Sequence, residues 1–493
     1  MGGHRPHRHL RRGSPQLLLR HLALHRGGAG PARQGHRRRP DRSGHRASRR
    51  RLAQKDHHRR LGRRHRGRAA WAARRRGEGP GSDARRHRPR NLPAPAEEPG
   101  SGRSAVTSIL EPSVDTAERD SLIQLVRDFA RSEVAPRVQA YDEAESIPLD
   151  LLQQMASLGF FGGVVPVEWG GMGLDHLTFS MIIEEISRVD HCLGVFMSMP
   201  SALVGGGLLA FGTDEQKEQW LRPLAEGQIF GGAGVTEPRS GSDVAGTETR
   251  YKRTGDGFVL NGAKAWITNL DKASFFVTFA TNDPALGKKG LSAFIVPADT
   301  PGVIKNPMRN KLGFRPLCSG DLVLDNVQLG PDALLGEEGD GFTVAMTAVE
   351  RGRLAVASRA VGLAQSCLDA SVQYAKERIV FGKPISSFQM TQQKIADMAV
   401  SIEAARLLTN KCASEMETGS RARIEASMAK MFASDAAQAA ATDAVQIHGA
   451  YGVSEEYGVA RAYRDAKVFQ IVEGTNDIHR LLISRDALNR GGL

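Results

Sequence analysis

The sequence predicts an α+β multidomain protein: an N-terminal α-helical domain over 106–230, a small middle β-barrel or sandwich domain over 231–340, and a C-terminal four-helix bundle over 341–493, preceded by a disordered basic tail over 1–105. Three observations predict it. Apolar residues recur at spacings of three and four on both sides of a central block, the mark of helices with one buried face. Within the central block, short runs rich in β-branched and aromatic residues are separated by turn residues instead. Charge also divides the chain. Residues 1–105 hold 29 Arg, one Lys and six acidic residues, a net of +24, whereas 106–493 carries a net of −11, together the +13 of the whole.

The tail is built from Arg, His, Gly, Pro and Ala, with no Ile and 11 of the chain's 15 His. It has too little apolar surface to offset the entropy of ordering, so disorder is expected. Three origins fit this composition: a nucleic-acid-binding arm, a transit peptide, though one lacking serine richness and amphipathicity, or GC-rich upstream DNA translated from a start codon set too early. The last is the expectation, with a native start near Val106, and N-terminal sequencing of the native protein tests it. The acidic body argues against nucleic acid as a partner.

Order begins near Asp115. Leu122, Leu125, Val126 and Phe129 form a helical stripe that ends by Pro136. Leu151, Leu152, Met155 and Leu158 form the next, closed by Gly159. A glycine-rich loop over 166–174 precedes a helix through Met181, Ile182, Glu185 and Ile186, and another is expected from Ser201 to Phe211. Strands are expected at 258–260, 275–279, 291–296 and 322–324, with turns at 254–257 and 299–302. From Gly341 to Leu488 helical periodicity returns, with wide apolar faces such as Ala426, Ala429, Phe432 and Ala433, which suit a bundle that also meets another subunit.

The four cysteines are scattered without a C-x-x-C pair, which argues against zinc or a disulfide framework and fits a reducing cytosol, so a cytoplasmic location is expected and no metal. No apolar run reaches the roughly 18 residues a membrane span needs.

Four stretches carry chemistry. Val235-Thr236-Glu237-Pro238-Arg239-Ser240-Gly241-Ser242-Asp243 has small residues and hydroxyls that let backbone N–H groups approach a ligand closely; alone, it is an ordinary Ser/Gly turn. Lys264 to Asn269 sets Trp266 and Thr268 on a strand. Glu377 to Ile385, followed by Phe388-Gln389, alone reads as a helix end with a Gly-Lys-Pro stop. Glu473-Gly474-Thr475 breaks a helical pattern and restarts it, with Thr475 a candidate N-cap; by itself Glu473 is a solvated carboxylate at a helix break.

In this order, on an α–β–α layout, these stretches closely resemble the acyl-CoA dehydrogenase family, over Asp115 to Leu488. The resemblance implies FAD as cofactor, an acyl-CoA thioester as substrate, an electron-transfer flavoprotein as acceptor and a homotetramer. It implies that Val235, Thr236 and Ser242 line the flavin, Ser242 also meeting the substrate, and that Trp266, Ile267 and Thr268 pack on the isoalloxazine. Arg378, Phe381 and Gln389 would reach FAD across the subunit interface, as would Gln446, His448 and Gly449 near its diphosphate. Gly474, Thr475 and Asn476 would touch FAD beside the base. Glu350 and Arg353 would lie near the acyl-CoA. Some relatives place the base on that helix; here the position is Gly352, which leaves Glu473 as the α-proton base, with Ile471 and Val472 supplying part of a dry wall. Arg239, Ser240 and Ala450 depart from the family's small residues. The same resemblance admits a carrier-protein thioester, a flavin oxidase or monooxygenase, or a DNA-associated flavoprotein.

Overall fold

A computed structural model describes residues 114–490. The basic tail and the expected start near Val106 lie outside the described residues. The described chain runs helical, then β, then helical.

The first block holds α1 (Thr116–Phe129), running into a π-helical turn (Ala130–Val134), then α2 (Val138–Glu143), α3 (Leu149–Ser157), α4 (His176–Ser198) and α5 (Gly205–Phe211). Leu122, Val126 and Phe129 of α1 are buried, and α1 packs on α4. The Asp175 carboxylate caps α4 by accepting from the Thr178 N–H at 2.6 Å. Asp190, at φ −149° and ψ 109°, interrupts α4; its carboxylate accepts from the Tyr141 hydroxyl at 2.6 Å. Helix α5 starts at Gly205 rather than at the expected Ser201. The chain folds back there so tightly that a Cβ on Gly205 would lie 1.9 Å from the Pro200 carbonyl oxygen. Past α5, Thr213 and Gln216 cap each other's backbone in a capping box.

The middle block is one eight-stranded sheet: β1 (Phe230–Gly234), β2 (Arg250–Thr254), β3 (Gly257–Thr268), β4 (Ala273–Thr281), β5 (Leu291–Pro297), β6 (Val303–Met308), β7 (Ser319–Leu329) and β8 (Leu334–Leu335). The order is β6-β7-β3-β2-β4-β5-β8, with β1 parallel to β4. Tyr251, Phe258, Phe276, Phe294, Leu322 and Val327 come from five strands into one cluster, so the sheet wraps its own core. The four runs expected from sequence fall on β3, β4, β5 and β7. The others lacked a signal: β1 reads Phe-Gly-Gly-Ala-Gly, β2 is mostly polar, and β6 is exposed and contains Pro307.

The last block comprises α6 (Gly341–Glu377), a hairpin of β9 (Ile379–Val380) and β10 (Lys383–Pro384), α7 (Gln389–Glu417), α8 (Arg423–His448), α9 (Gly458–Phe469) and α10 (Asn476–Asn489). Helix α6 packs against α4, α7 and α8, which fastens the first block to the last. Eight of the 13 buried residues of α8 are alanine, so its backbone approaches α6 closely. Among the described residues no helix is long and apolar enough to cross a membrane.

Candidate active site

Helix α9 ends at Phe469, and the chain turns over 470–475 before Thr475, whose hydroxyl accepts from the Ile478 N–H, starts α10. Glu473 lies in this turn at φ 54°, a left-handed backbone that a glutamate rarely adopts. That geometry lays its side chain on α6. A Cβ on Gly352 would sit 2.8 Å from the Glu473 carboxyl carbon, so glycine at 352 makes room for the carboxylate. Burial pushes the Glu473 carboxyl up to about 7, against the opposing pull of Arg359, Arg353 and Lys430. Arg353 is buried and its Nε–H reaches the Glu473 carbonyl at 3.4 Å. Ile471, expected to wall the site, is 55% exposed because the turn points it outward; Val472 and Glu473 are half-buried, and Gly352 of α6 lies against the carboxylate.

Three functional groups carry no sequence signal of their own. Lys430 of α8 is fully buried; its ammonium donates to the Gly474 carbonyl at 2.8 Å and to Asn476 Oδ1 at 2.9 Å, and burial lowers it to about 7. Asn476 in turn donates to Ser434 Oγ at 2.9 Å and to Asp435 at 2.7 Å, so Lys430 and Asn476 pin the turn that carries Glu473. His479 of α10 is fully buried close to Gly474, and burial keeps it neutral, down at about 3. Arg359 of α6 is the third. The hint available was a charge inside an apolar stripe: Lys430 between Ala426 and Ala433, Arg359 between Val356 and Leu363. Glu350, expected near the substrate, is buried and bound by Arg421 at 2.9 and 3.2 Å.

A second group forms at the β domain. The Thr236 carbonyl accepts from the Ala265 N–H at 2.8 Å, which joins the 235–243 loop to β3. Inside the loop, the buried Glu237 carboxylate accepts from Lys264 Nζ at 2.6 Å and from the Glu248 and Thr249 N–H groups. Burial lowers Lys264 to about 8 while Glu237 pulls the other way. Beside this latch β3 bulges: the register shifts between Lys264 and Ile267, and Trp266 stands at φ 62° with its indole outward, 59% exposed, while Ile267 points into the core. Ser242 is exposed, Val235, Thr236 and Thr268 half-buried, and space is open beside Gly241. An outward indole beside an open, hydroxyl-lined loop fits the flat ring of a flavin.

The third group lies at the far end of α6. Tyr374 stacks on His448 with ring centroids 4.2 Å apart, and the Arg378 guanidinium lies 5.6 Å from the Tyr451 ring. His448 is buried and its Nδ1–H donates to the Ala444 carbonyl at 2.8 Å, whereas Gln446, Gly449 and Gln389 are exposed. Phe381, at φ 50° in the tip of the β9–β10 hairpin, is 93% exposed. So Arg378, His448 and Gly449 gather at this end of α6, with Phe381 on the hairpin that follows it, but Tyr374 is about 33 Å along α6 from Gly352. They are not brought to Glu473 within one chain. Among the described residues one grouping has metal-ligand types, Asp190, His191 and Cys192; His191 is already engaged by Asp465 at 2.9 Å, and Asp190 by Tyr141.

Family models for the acyl-CoA dehydrogenase N-terminal, middle and C-terminal domains match residues 116–228, 232–327 and 339–488. An acyl-CoA dehydrogenase of Bacillus subtilis is 42% identical over 370 residues, 75% of this chain and 98% of that protein. The caffeyl-CoA reductase-Etf complex subunit CarC of Acetobacterium woodii is 40% identical over 370 residues, 75% of this chain and 98% of its own. The solved structure of butyryl-CoA dehydrogenase from Megasphaera elsdenii superposes with a TM-score of 0.73 at 37% identity, covering 78% of this chain and 99% of that one. With all three domains matched in order, the chain belongs to the acyl-CoA dehydrogenase family and is an oxidoreductase acting on acyl thioesters.

Proposed function

We propose that this protein desaturates an acyl-CoA between its α and β carbons, with Glu473 as the base that takes the α-proton and FAD as the oxidant. The observation that carries it is the Glu473 carboxylate laid against Gly352 and raised to about 7 by burial. A carboxylate taken out of water is a stronger base toward a weakly acidic carbon. Arg353 and Lys430 hold the turn by its carbonyls, which supports a fixed position for the carboxylate. The neutral His479 adds bulk beside Gly474 without adding charge. Bound FAD would take up the β-hydride, the redox step no side chain can perform. Trp266 and Thr268 on the bulge, with the Ile267 backbone between them and Val235, Thr236 and Ser242 beside them, would hold the flavin ring of one subunit, with Gly474, Thr475 and Asn476 on the side of the base. Arg378, Phe381, Gln389, Gln446, His448 and Gly449 would complete the site of another copy, which the 93% exposure of Phe381 and the length of α6 support. A homotetramer and an electron-transfer flavoprotein as acceptor follow from the same reading, as does a cytoplasmic location from four unpaired cysteines. The domains would be 106–230, 231–340 and 341–493.

Anaerobic mixing of the FAD-loaded enzyme with acyl-CoA thioesters of varied length and branching tests this: at least one should bleach the flavin within seconds. No bleaching by any thioester contradicts the reading, and steady hydrogen peroxide release without added acceptor would make the enzyme an oxidase.

A further inference from the structure

Arg359 lies on the Gly352 face of α6, two turns further along, about 10 Å by the helix rise. Helical side chains lean toward the N-terminus, so its guanidinium points back toward the carboxylate on Gly352. The side chain is buried at 6% exposure. Its stem runs over Gly194 of α4, where a Cβ would come within 3.0 Å of its Cγ and Cδ. Phe469 and Phe314 flank the guanidinium, at 5.7 and 6.0 Å from the ring centroids. Its Nε–H donates only within its own helix, to the Ala355 carbonyl at 3.3 Å, and its Nη1 has no hydrogen-bond partner. Glu473 is the carboxylate whose charge acts on it.

A buried guanidinium with an open N–H is costly, and aromatic walls leave only its planar edge for an acceptor. A hydrocarbon chain end would leave that edge unsatisfied. A carboxylate would meet it in plane, by the charge-assisted fork that arginine forms best. We propose that Arg359 selects the far end of the acyl chain, and that the preferred substrates are short acyl thioesters ending in a carboxylate. This rests on the dehydrogenase reading above. In the reaction the thioester gives its α-proton to Glu473 and a β-hydride to the flavin, and a double bond forms between those carbons. The distal carboxylate keeps its atoms and its charge. It serves twice: it draws Arg359 away from Glu473, leaving the base stronger, and it stays as the counter-ion of Arg359 once Glu473 is protonated.

The test compares length-matched thioesters on the FAD-loaded enzyme under anaerobic conditions: succinyl- with butyryl-CoA, glutaryl- with valeryl-CoA, adipyl- with hexanoyl-CoA. The expected result is a kcat/KM for flavin bleaching at least about tenfold higher for the carboxylated member of one pair. Arg359→Met should lose about a hundredfold on that substrate and gain on its unsubstituted partner, with Arg359→Lys between. A wild-type preference for the unsubstituted chain in every pair overturns this proposal while leaving the dehydrogenase reading intact. So does an Arg359→Met enzyme that slows both members equally and moves the pH midpoint, which would make Arg359 a positioning residue of Glu473. No bleaching by any thioester overturns both.

Discussion

A carboxylate pressed against a helical glycine, with three cations acting on it, has a proton affinity its surroundings set, and in the proposed reaction Glu473 is that carboxylate. Glu473 must be ionised to accept a proton, and burial holds it at about 7. The rate of flavin reduction at low substrate should therefore rise with pH to a plateau above about 7, as stopped-flow absorbance across that range would show. Lys430→Met removes one cation that lowers this value, so the midpoint should move upward. The same burial has a stability consequence of fixed sign. A carboxyl raised in the folded state favours folding below its ordinary range, and that contribution is lost as pH rises through about 7. Glu473→Gln should therefore melt at a higher temperature than wild type near pH 8 and no higher near pH 5, by differential scanning calorimetry. Gly352→Ala puts a Cβ 2.8 Å from the carboxyl carbon. Displacing the base by about an ångström should cost on the order of a hundredfold in bleaching rate, with the protein still folded.

At the scale of elements, the bulge in β3 depends on the Lys264–Glu237 pair beneath it. Glu237→Ala strands a buried ammonium that has no solvent exposure, which should destabilise the protein by about 3–5 kcal/mol in urea titration. Losing both partners, in Lys264→Met with Glu237→Gln, should cost less than Glu237→Ala alone. Which elements could be read from sequence follows from their periodicity. Leu122, Val126 and Phe129 mark α1 because one face is buried and the other wet. Strands β3, β4, β5 and β7 show because their apolar residues fill one core. Strand β1 does not, because Gly231 and Gly232 are chosen for contact: a Cβ there would lie 2.6 Å from Val204 and 2.7 Å from Phe276. Read alone, Glu473 is a solvated carboxylate at a helix break; only the family resemblance, with glycine at 352, singles it out. Lys430 and Arg359 were not legible, because a charge inside an apolar stripe looks the same whether it ends a buried face or serves a site within it.

For the whole molecule, a phenylalanine 93% exposed at φ 50° on a hairpin tip contributes little to its own chain beyond an edge-on contact with Phe388 at 6.3 Å. With Met390, Val400 and Leu407, exposed at 77%, 71% and 61% along α7, it presents apolar surface that a second copy would cover. Phe381→Ala should leave the melting temperature of the FAD-free chain within about 1–2 °C of wild type, since exposed substitutions change stability little. It should nonetheless weaken FAD retention on gel filtration and shift assembly toward smaller species. Unchanged FAD retention would place Phe381 outside the flavin site.

Exchange of the substrate's α-hydrogen with solvent deuterium isolates proton removal from hydride transfer. Using a thioester that binds but is not oxidised, followed by NMR, wild-type enzyme should exchange the α-position and Glu473→Gln should lower the exchange rate by several orders of magnitude while still binding the thioester. Exchange at the wild-type rate by Glu473→Gln would mean that another group takes the proton.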